Sequence, residues 1–281
     1  MDLRPDSPDT LLRKLGVTPD KAYGQNFILE PAVIDEIIRF ARPSASDRIV
    51  EIGPGLGALT RELLSVGEVT AIEIEEAFCS YLTATYQNLH VINEDIRAFD
   101  LAQLGEDLLV FGNIPYSFSS EILFHLLDHC HQDSKRIVKR AVLLVQKEFA
   151  ERVASQPGPK SYGVPSIRTA IVANVRLGPI FPGNIFYPTA SVESQVLELR
   201  FLEKPRYAID DMLHFRHVLA IAFGSRRRKI FNSLLSSNQF DAELLHASLA
   251  ALDISPESRV ENITPEQFVL LSNRLFHCAR E

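Results

Sequence analysis

The chain is poor in the residues that build cross-links and metal knots. Its 3 cysteines, Cys79, Cys130 and Cys278, are widely spaced and form no Cys-x-x-Cys pair. Neither a disulfide framework nor a zinc knuckle is indicated, and reduced thiols are expected. His125 and His129 have helical i, i+4 spacing, but no His-Glu-x-x-His pattern or matching third ligand accompanies them and His131, so no metal is expected. No apolar run approaches the ~20 residues that cross a bilayer, and Met1 to Thr10 is acidic and proline-bearing, unlike a secretory leader or a basic transit peptide. The cytoplasm is the expected compartment, with no membrane partner. Positive charge is also in deficit. A formal net charge of −7 argues against indiscriminate polyanion binding, so a nucleic-acid partner has to be argued from local clustering.

What is present is periodicity. A length of 281 residues with 46% hydrophobic content fits one large or two modest globular domains. Val33, Ile34, Ile37, Ile38 and Ala41 recur at spacings of three and four, the stripe of one helix. From Arg48 the period changes. Ile49 to Ile52, Val69 to Ile74, Val91 to Asn93, Leu108 to Ile114 and Val142 to Val145 read as strands, and Leu56 to Leu64, Glu76 to Gln87, Ser119 to His129 and Lys147 to Ala154 as helices among them. That alternation predicts an α/β fold, a Rossmann-like parallel sheet with helices on both faces and its ligand at the carboxyl ends of the strands. Thr169 to Arg176 and Gln195 to Phe201 read as two later strands, separated by the Gly/Pro-rich loop from Gly178 to Pro188 and closing the sheet as a hairpin. Beyond Lys204-Pro205 the β signal stops, and Leu213 to Phe223, Arg227 to Leu235, Ala242 to Ala251 and Pro265 to Leu275 read as helices. Residues 1–205 are therefore expected to form the sheet domain and 206–281 a small all-helical domain.

Glu51-Ile52-Gly53-Pro54-Gly55-Leu56-Gly57 follows the first strand and opens a helix, where glycines permit a tight turn and close approach to a ligand. The Gly-x-Gly-x-Gly spacing is not that of a dinucleotide loop, and an acid at Glu51 would repel a pyrophosphate while helping to hold a cationic or amino-bearing ligand. Glu73 ends the second strand about 20 residues on, where a carboxylate accepts from both hydroxyls of a ribose. Asp95 ends the third, placed to meet an adenine amino group. Alone, either acid also reads as a solvated strand end. In register with the glycine loop and Asn113 they predict a pocket for S-adenosylmethionine.

Asn113-Ile114-Pro115-Tyr116 supplies a side-chain carbonyl, a rigid turn and an aromatic face at the end of an apolar run. The tetrapeptide also reads as an ordinary strand-to-loop turn. Next to such a cofactor pocket it suits methylation of an exocyclic amine. An adenine N6 is a poor nucleophile because its lone pair is delocalised into the ring, and acceptors on its two protons shift it toward a pyramidal amine. Asn113 can offer its side-chain carbonyl, Ile114 or Pro115 a backbone carbonyl, and Tyr116 a stacking face. The methyl passes in line from the sulfonium, so positioning does most of the work and no general base is required. A base flipped out of its stack needs a second aromatic wall. Phe186 or Tyr187 is the candidate, with core packing the alternative for Phe186.

These residues resemble the KsgA-type ribosomal RNA small-subunit adenine N6,N6-dimethyltransferases. The likeness runs from Lys14 through Gly24 to Ile28, Glu51 to Thr60, Glu73, Glu94-Asp95, Asn113 to Tyr116, Gln146 to Glu148, Arg152 and Tyr162-Gly163. It continues through Val192 to Val196, Arg226 to Leu234 and Arg259 to Asn262. It implies S-adenosylmethionine as methyl donor and dimethylation at N6 of two adjacent adenosines in the 3′-terminal hairpin of 16S ribosomal RNA. It also implies an immature 30S-type subunit as partner and a monomeric enzyme. By the resemblance, Asn26, Ile28, Gly53, Gly55, Glu73, Asp95 and Asn113 would line the cofactor, with Ile96 against its adenine, and Asn113, Pro115, Tyr116 and Phe186 would hold the target base. The chain departs from the family pattern at Ile28 and Ile114, where Leu is usual, and at Glu75, Ala190 and Glu193, where Asp, Pro and Asp are usual.

Arg226-Arg227-Arg228-Lys229 falls at the start of a predicted helix, against the macrodipole preference for cations at the opposite end. Phosphate binding by this run, with Lys147, Arg152 and Lys160, is the expected RNA-binding role; a solvated charge run or an anchor between domains are the alternatives. The nearest rival function is that of an Erm-type enzyme, which methylates large-subunit ribosomal RNA on the same scaffold. The helical tail and the Gln146 to Gly163 stretch favour the KsgA type. A non-catalytic RNA-binding or maturation factor is the other rival, and the intact glycine loop, Glu73, Asp95 and Asn113 weigh against it.

Overall fold

The computed structural model describes residues 7–18, 26–225 and 228–278. The chain forms two compact units, Met1–Glu151 with Asn174–Lys204, and Arg152–Ala173 with Pro205–Glu281. In chain order through the first unit come α1 (Pro8–Leu15), α2 (Pro31–Ala41), β1 (Ile49–Ile52), α3 (Ala58–Leu64), β2 (Val69–Glu73), α4 (Glu76–Thr85) and β3 (Leu89–Asn93). They are followed by β4 (Leu108–Asn113), α5 (Ser119–Asp128), β5 (Val138–Gln146), α6 (Lys147–Ala154), α7 (Val164–Val172), β6 (Ala173–Phe181) and β7 (Ser194–Phe201), of which α7 and the end of α6 from Arg152 belong to the second unit.

The 7 strands lie in the order β3-β2-β1-β4-β5-β7-β6. β3, β2, β1, β4 and β5 run parallel, and β7 is antiparallel to β5. A parallel strand with both faces covered has to be apolar along its length, and β1 and the stretch Leu108 to Phe111 of β4 are fully buried. The register pairs Ile52 with Ile72 and Gly112, and Glu73 with Asn93, so the carboxyl ends of these strands share one edge. One face of α2 supplies Val33, Ile34 and Ile37 to a buried cluster with Phe111, Val142 and Val196. Each such side chain removed from water is worth about 2 kcal/mol. A two-residue antiparallel pairing of Phe27–Ile28 with Phe186–Tyr187 joins the amino-terminal segment to the loop before β7.

The sequence periodicity misplaced one element. Thr169 to Val172, expected as strand, is the end of helix α7, and the strand begins only at Ala173 and continues through Gly178 to Phe181. Pro165 in the first turn, and Ser166 Oγ accepting from Gly163 N–H at 3.1 Å, start the helix. Ile167 and Ile171 then share its buried face, so a β-branched composition was overridden by i, i+4 spacing.

In the second unit α7 is joined by α8 (Met212–Gly224), α9 (Ile230–Leu235), α10 (Ala242–Ala251) and α11 (Pro265–Cys278). Residues 152–173 are thus part of this unit, whereas the boundary drawn from the sequence at 205/206 puts them with the sheet. Asp211 and Asp241 cap α8 and α10 through their carboxylates. Phe215, Leu219, Leu234, Leu249 and Phe268 are buried. Two stretches that carried the family resemblance meet here: Tyr162 donates to the Ile263 carbonyl at 2.9 Å, and Gly158 N–H to that of Glu261 at 2.8 Å. Those motifs therefore have a packing role within the helical unit.

Candidate cofactor and base-binding site

The glycine loop leaves β1 with Gly53, Gly55 and Gly57 at φ +62°, +55° and +79°, values that favour glycine. At Gly57, the N-cap of α3, an added Cβ would stand 2.8 Å from the Tyr86 ring. At Gly53 it would meet nothing within 4 Å, because the loop there faces a cavity of about 420 Å3. Asn26, Ile28, Gly53, Gly55, Glu73, Asp95, Ile96, Asn113, Pro115 and Tyr116 all line this one cavity.

Glu73 is 5% exposed and holds the loop: Oε2 accepts from Gly55 N–H at 3.0 Å and Oε1 from Glu75 N–H at 2.9 Å. Burial pushes its pKa up against the backbone hydrogen bonds it accepts. A carboxylate has roughly four acceptor positions, so capacity remains on it for a ligand's hydroxyls. Glu51, also buried, accepts from Thr60 Oγ1 at 2.6 Å, and burial raises its pKa to about 8. Burial thus favours its neutral form. Asp95 is gripped by Arg97, which holds its pKa down. The Arg97 guanidinium also donates to Glu121 and lies 4.4 Å from the centre of the Phe118 ring.

At the end of β4, Asn113 Nδ2 donates to the Asn26 carbonyl at 2.6 Å. A carbonyl only accepts, so the amide nitrogen faces it, and among the described residues no donor occupies Asn113 Oδ1. The Pro115 carbonyl accepts from Phe118 N–H at 3.0 Å and from Ser119 Oγ at 3.3 Å, which leaves the Ile114 carbonyl as the better second acceptor for an amine. Tyr116 is half-buried, and its hydroxyl bonds Ser194 Oγ at 2.7 Å, which fixes its ring on the cavity wall. Burial raises its pKa, so it stays a neutral phenol.

Phe186 is not on that wall. It is 1% exposed, paired with Ile28 and packed in the cluster under α2, so core packing accounts for it here. Tyr187 instead donates to Asp9 of α1 at 2.7 Å. Phe118 also lines the cavity, and the sequence did not single it out although it stands two residues past Tyr116. Ser194, at the start of β7, carried no signal in the sequence that would have found it.

Of the basic residues, Lys147 pairs with Glu193 at 2.8 Å in the first unit. In the second, Lys229 is the N-cap of α9 and pairs with Glu257, while Arg228 is exposed. Arg152, also exposed, lies on α6. Arg226 and Arg227 lie outside the described residues. No helix among the described residues is long and apolar enough to cross a membrane.

The sheet order, with its antiparallel β7 and a glycine loop after β1, places the fold among Rossmann-like S-adenosylmethionine-dependent methyltransferases. A dimethyladenosine transferase from Plasmodium falciparum superimposes with a TM-score of 0.72 at 26% identity, over 87% of this chain and 95% of that one. The 23S rRNA methyltransferase ErmE shares the fold with a TM-score of 0.64 at 22% identity, over 89% of this chain and 100% of that one. The chain belongs to the ribosomal RNA adenine dimethylase family, whose profile matches residues 18–276. Ribosomal RNA small subunit methyltransferase A of Desulforapulum autotrophicum is 34% identical over 96% of each chain.

Proposed function

We propose that this chain transfers methyl groups from S-adenosylmethionine to N6 of two adjacent adenosines in the 3′-terminal hairpin of 16S ribosomal RNA. The product is N6,N6-dimethyladenosine, and the setting is small-subunit biogenesis, with a cytoplasmic monomer acting on an immature 30S-type subunit. The observation that carries the reading is Asn113, whose amide nitrogen is tied to Asn26 so that its oxygen is left for an amine. The relatives' small-subunit name supports the choice of RNA. The residues also fit the cofactor: Glu73 keeps acceptor capacity for ribose hydroxyls, Asp95 suits an adenine amine, and Gly53 leaves the space open.

Bound S-adenosylmethionine supplies a methyl group made electrophilic by its sulfonium. Asn113 Oδ1 and the Ile114 carbonyl accept the two N6 protons and draw the amine's lone pair out of conjugation, while Tyr116 holds the ring by stacking. The ammonium formed by each transfer loses its proton to water, which is why the site needs no histidine base. Mass spectrometry of the ribosomal RNA 3′ hairpin tests the reading: dimethyladenosine is expected there only when this protein is supplied. Its appearance in large-subunit RNA instead would move the chain to the Erm type.

RNA phosphates are assigned to Arg226, Arg227, Arg228 and Lys229, with Lys147 and Arg152. Alanine at both Arg228 and Lys229 is expected to lower RNA affinity and to reduce the salt slope of binding by roughly one unit for each phosphate no longer neutralised. An unchanged affinity and slope would remove the run from the RNA surface.

A further inference from the structure

Asp95 has little capacity left for a ligand. Arg97 N–H and Nε reach its Oδ1 at 2.9 and 3.0 Å, and Nε and Nη2 reach Oδ2 at 3.0 and 2.7 Å. A carboxylate has roughly four lone-pair positions, and three N–H groups, the Nε one shared between both oxygens, take up most of them, so an incoming amine competes with the guanidinium for the carboxylate. Arg97 has somewhere to go. Its Nη1 donates to Glu121 Oε2 at 2.6 Å, and its guanidinium carbon lies 4.4 Å from the centre of the Phe118 ring. Asp95, Arg97 and Phe118 line the cavity, while Glu121 on α5 stands behind them. Both carboxylates and the guanidinium are partly exposed, at 30%, 56% and 32%, so an exchange between partners does not bury a bare charge.

We propose that Arg97 competes with the adenine amino group of the cofactor for Asp95. The guanidinium shifts onto Glu121 and Phe118 when adenine enters, and returns to Asp95 to displace the spent cofactor. The inference rests on the reading of Asp95 given under the proposed function. Its use follows from the product: one dimethyladenosine consumes two methyl donors, so the demethylated nucleoside has to leave between transfers. A competitor at the adenine end promotes that exchange without touching the sulfonium end.

The test is calorimetric binding of S-adenosylhomocysteine and of its analogue with hydrogen in place of the 6-amino group, to the full chain and its variants. Arg97→Met is expected to tighten S-adenosylhomocysteine about tenfold, the worth of a single charge-assisted hydrogen bond, and to leave the analogue within about twofold. Arg97→Lys, which keeps the charge without the fork, should fall between. Glu121→Gln removes the alternative resting place and should loosen S-adenosylhomocysteine two- to threefold (about 0.5 kcal/mol). Opposite signs from two neighbouring substitutions distinguish competition from general damage to the pocket. Equal changes for both ligands in Arg97→Met, or looser binding of S-adenosylhomocysteine, would overturn the proposal. Asp95→Ala, which leaves no acceptor, separates the two levels: if it leaves the preference for the amino ligand intact, the reading of Asp95 is what fails, and the Arg97 inference falls with it.

Discussion

Asn113→Ala is expected to lower kcat/KM for methyl transfer by about 10³-fold or more while RNA affinity stays within about twofold. The magnitude is that of removing a preorganised polar group aimed at the reacting centre, compounded by loss of the tie to Asn26. Asn113→Asp is the sharper variant. It keeps an acceptor of the same shape but sets a carboxylate oxygen against the Asn26 carbonyl, where two acceptors repel, so it should be nearly as damaged as alanine. Single-turnover methylation with radiolabelled donor reads the chemical step, and filter binding reads the RNA. Full activity in either variant would remove Asn113 from the reaction, and a parallel loss of RNA binding would make it a binding residue instead.

Glu73→Ala is expected to weaken cofactor binding about 100-fold. Two effects add: the ribose loses its acceptors, and the N–H groups of Gly55 and Glu75 lose theirs, each a cost of about 1–3 kcal/mol when buried. Glu73→Gln divides them. Its amide retains one oxygen for the loop but turns an NH2 toward the other N–H, so the melting temperature should fall even without ligand. Calorimetric affinity for S-adenosylhomocysteine together with the melting temperature of the ligand-free protein checks both. Normal affinity in Glu73→Ala would mean that the ribose is held elsewhere.

The sheet was legible because its signal is local. Short apolar runs such as Leu108 to Phe111, alternating with helical patterns, fit strands with both faces covered, and the chemistry clusters at their carboxyl ends, where such sheets bind ligands. The glycine loop, Glu73, Asp95 and Asn113 share one cavity for that reason. What the sequence hid depends on hydrogen bonds across long separations. Asn26 and Asn113 meet across 87 residues, and Tyr116 and Ser194 across 78, and nothing in the spacing announces either. Phe186 misled because an aromatic in a loop reads as available, whereas strand pairing with Ile28 turns it into the core. The raised pKa of Glu51 was hidden too, since it follows from burial and not from residue type.

The hydrogen bond from Asn113 to the Asn26 carbonyl bears on which base can react. An amide presents oxygen on one side and nitrogen on the other, and half a turn about its last side-chain torsion exchanges them. With the nitrogen committed to a peptide carbonyl, the face left over attracts an amino group and repels an oxo group at the same ring position. Adenine bears the former and guanine the latter at C6. In the proposed reaction, discrimination between the two purines is thereby delegated to main chain that precedes the sheet in sequence, where the Asn26 peptide oxygen, and not a side chain, sets the orientation of the amide.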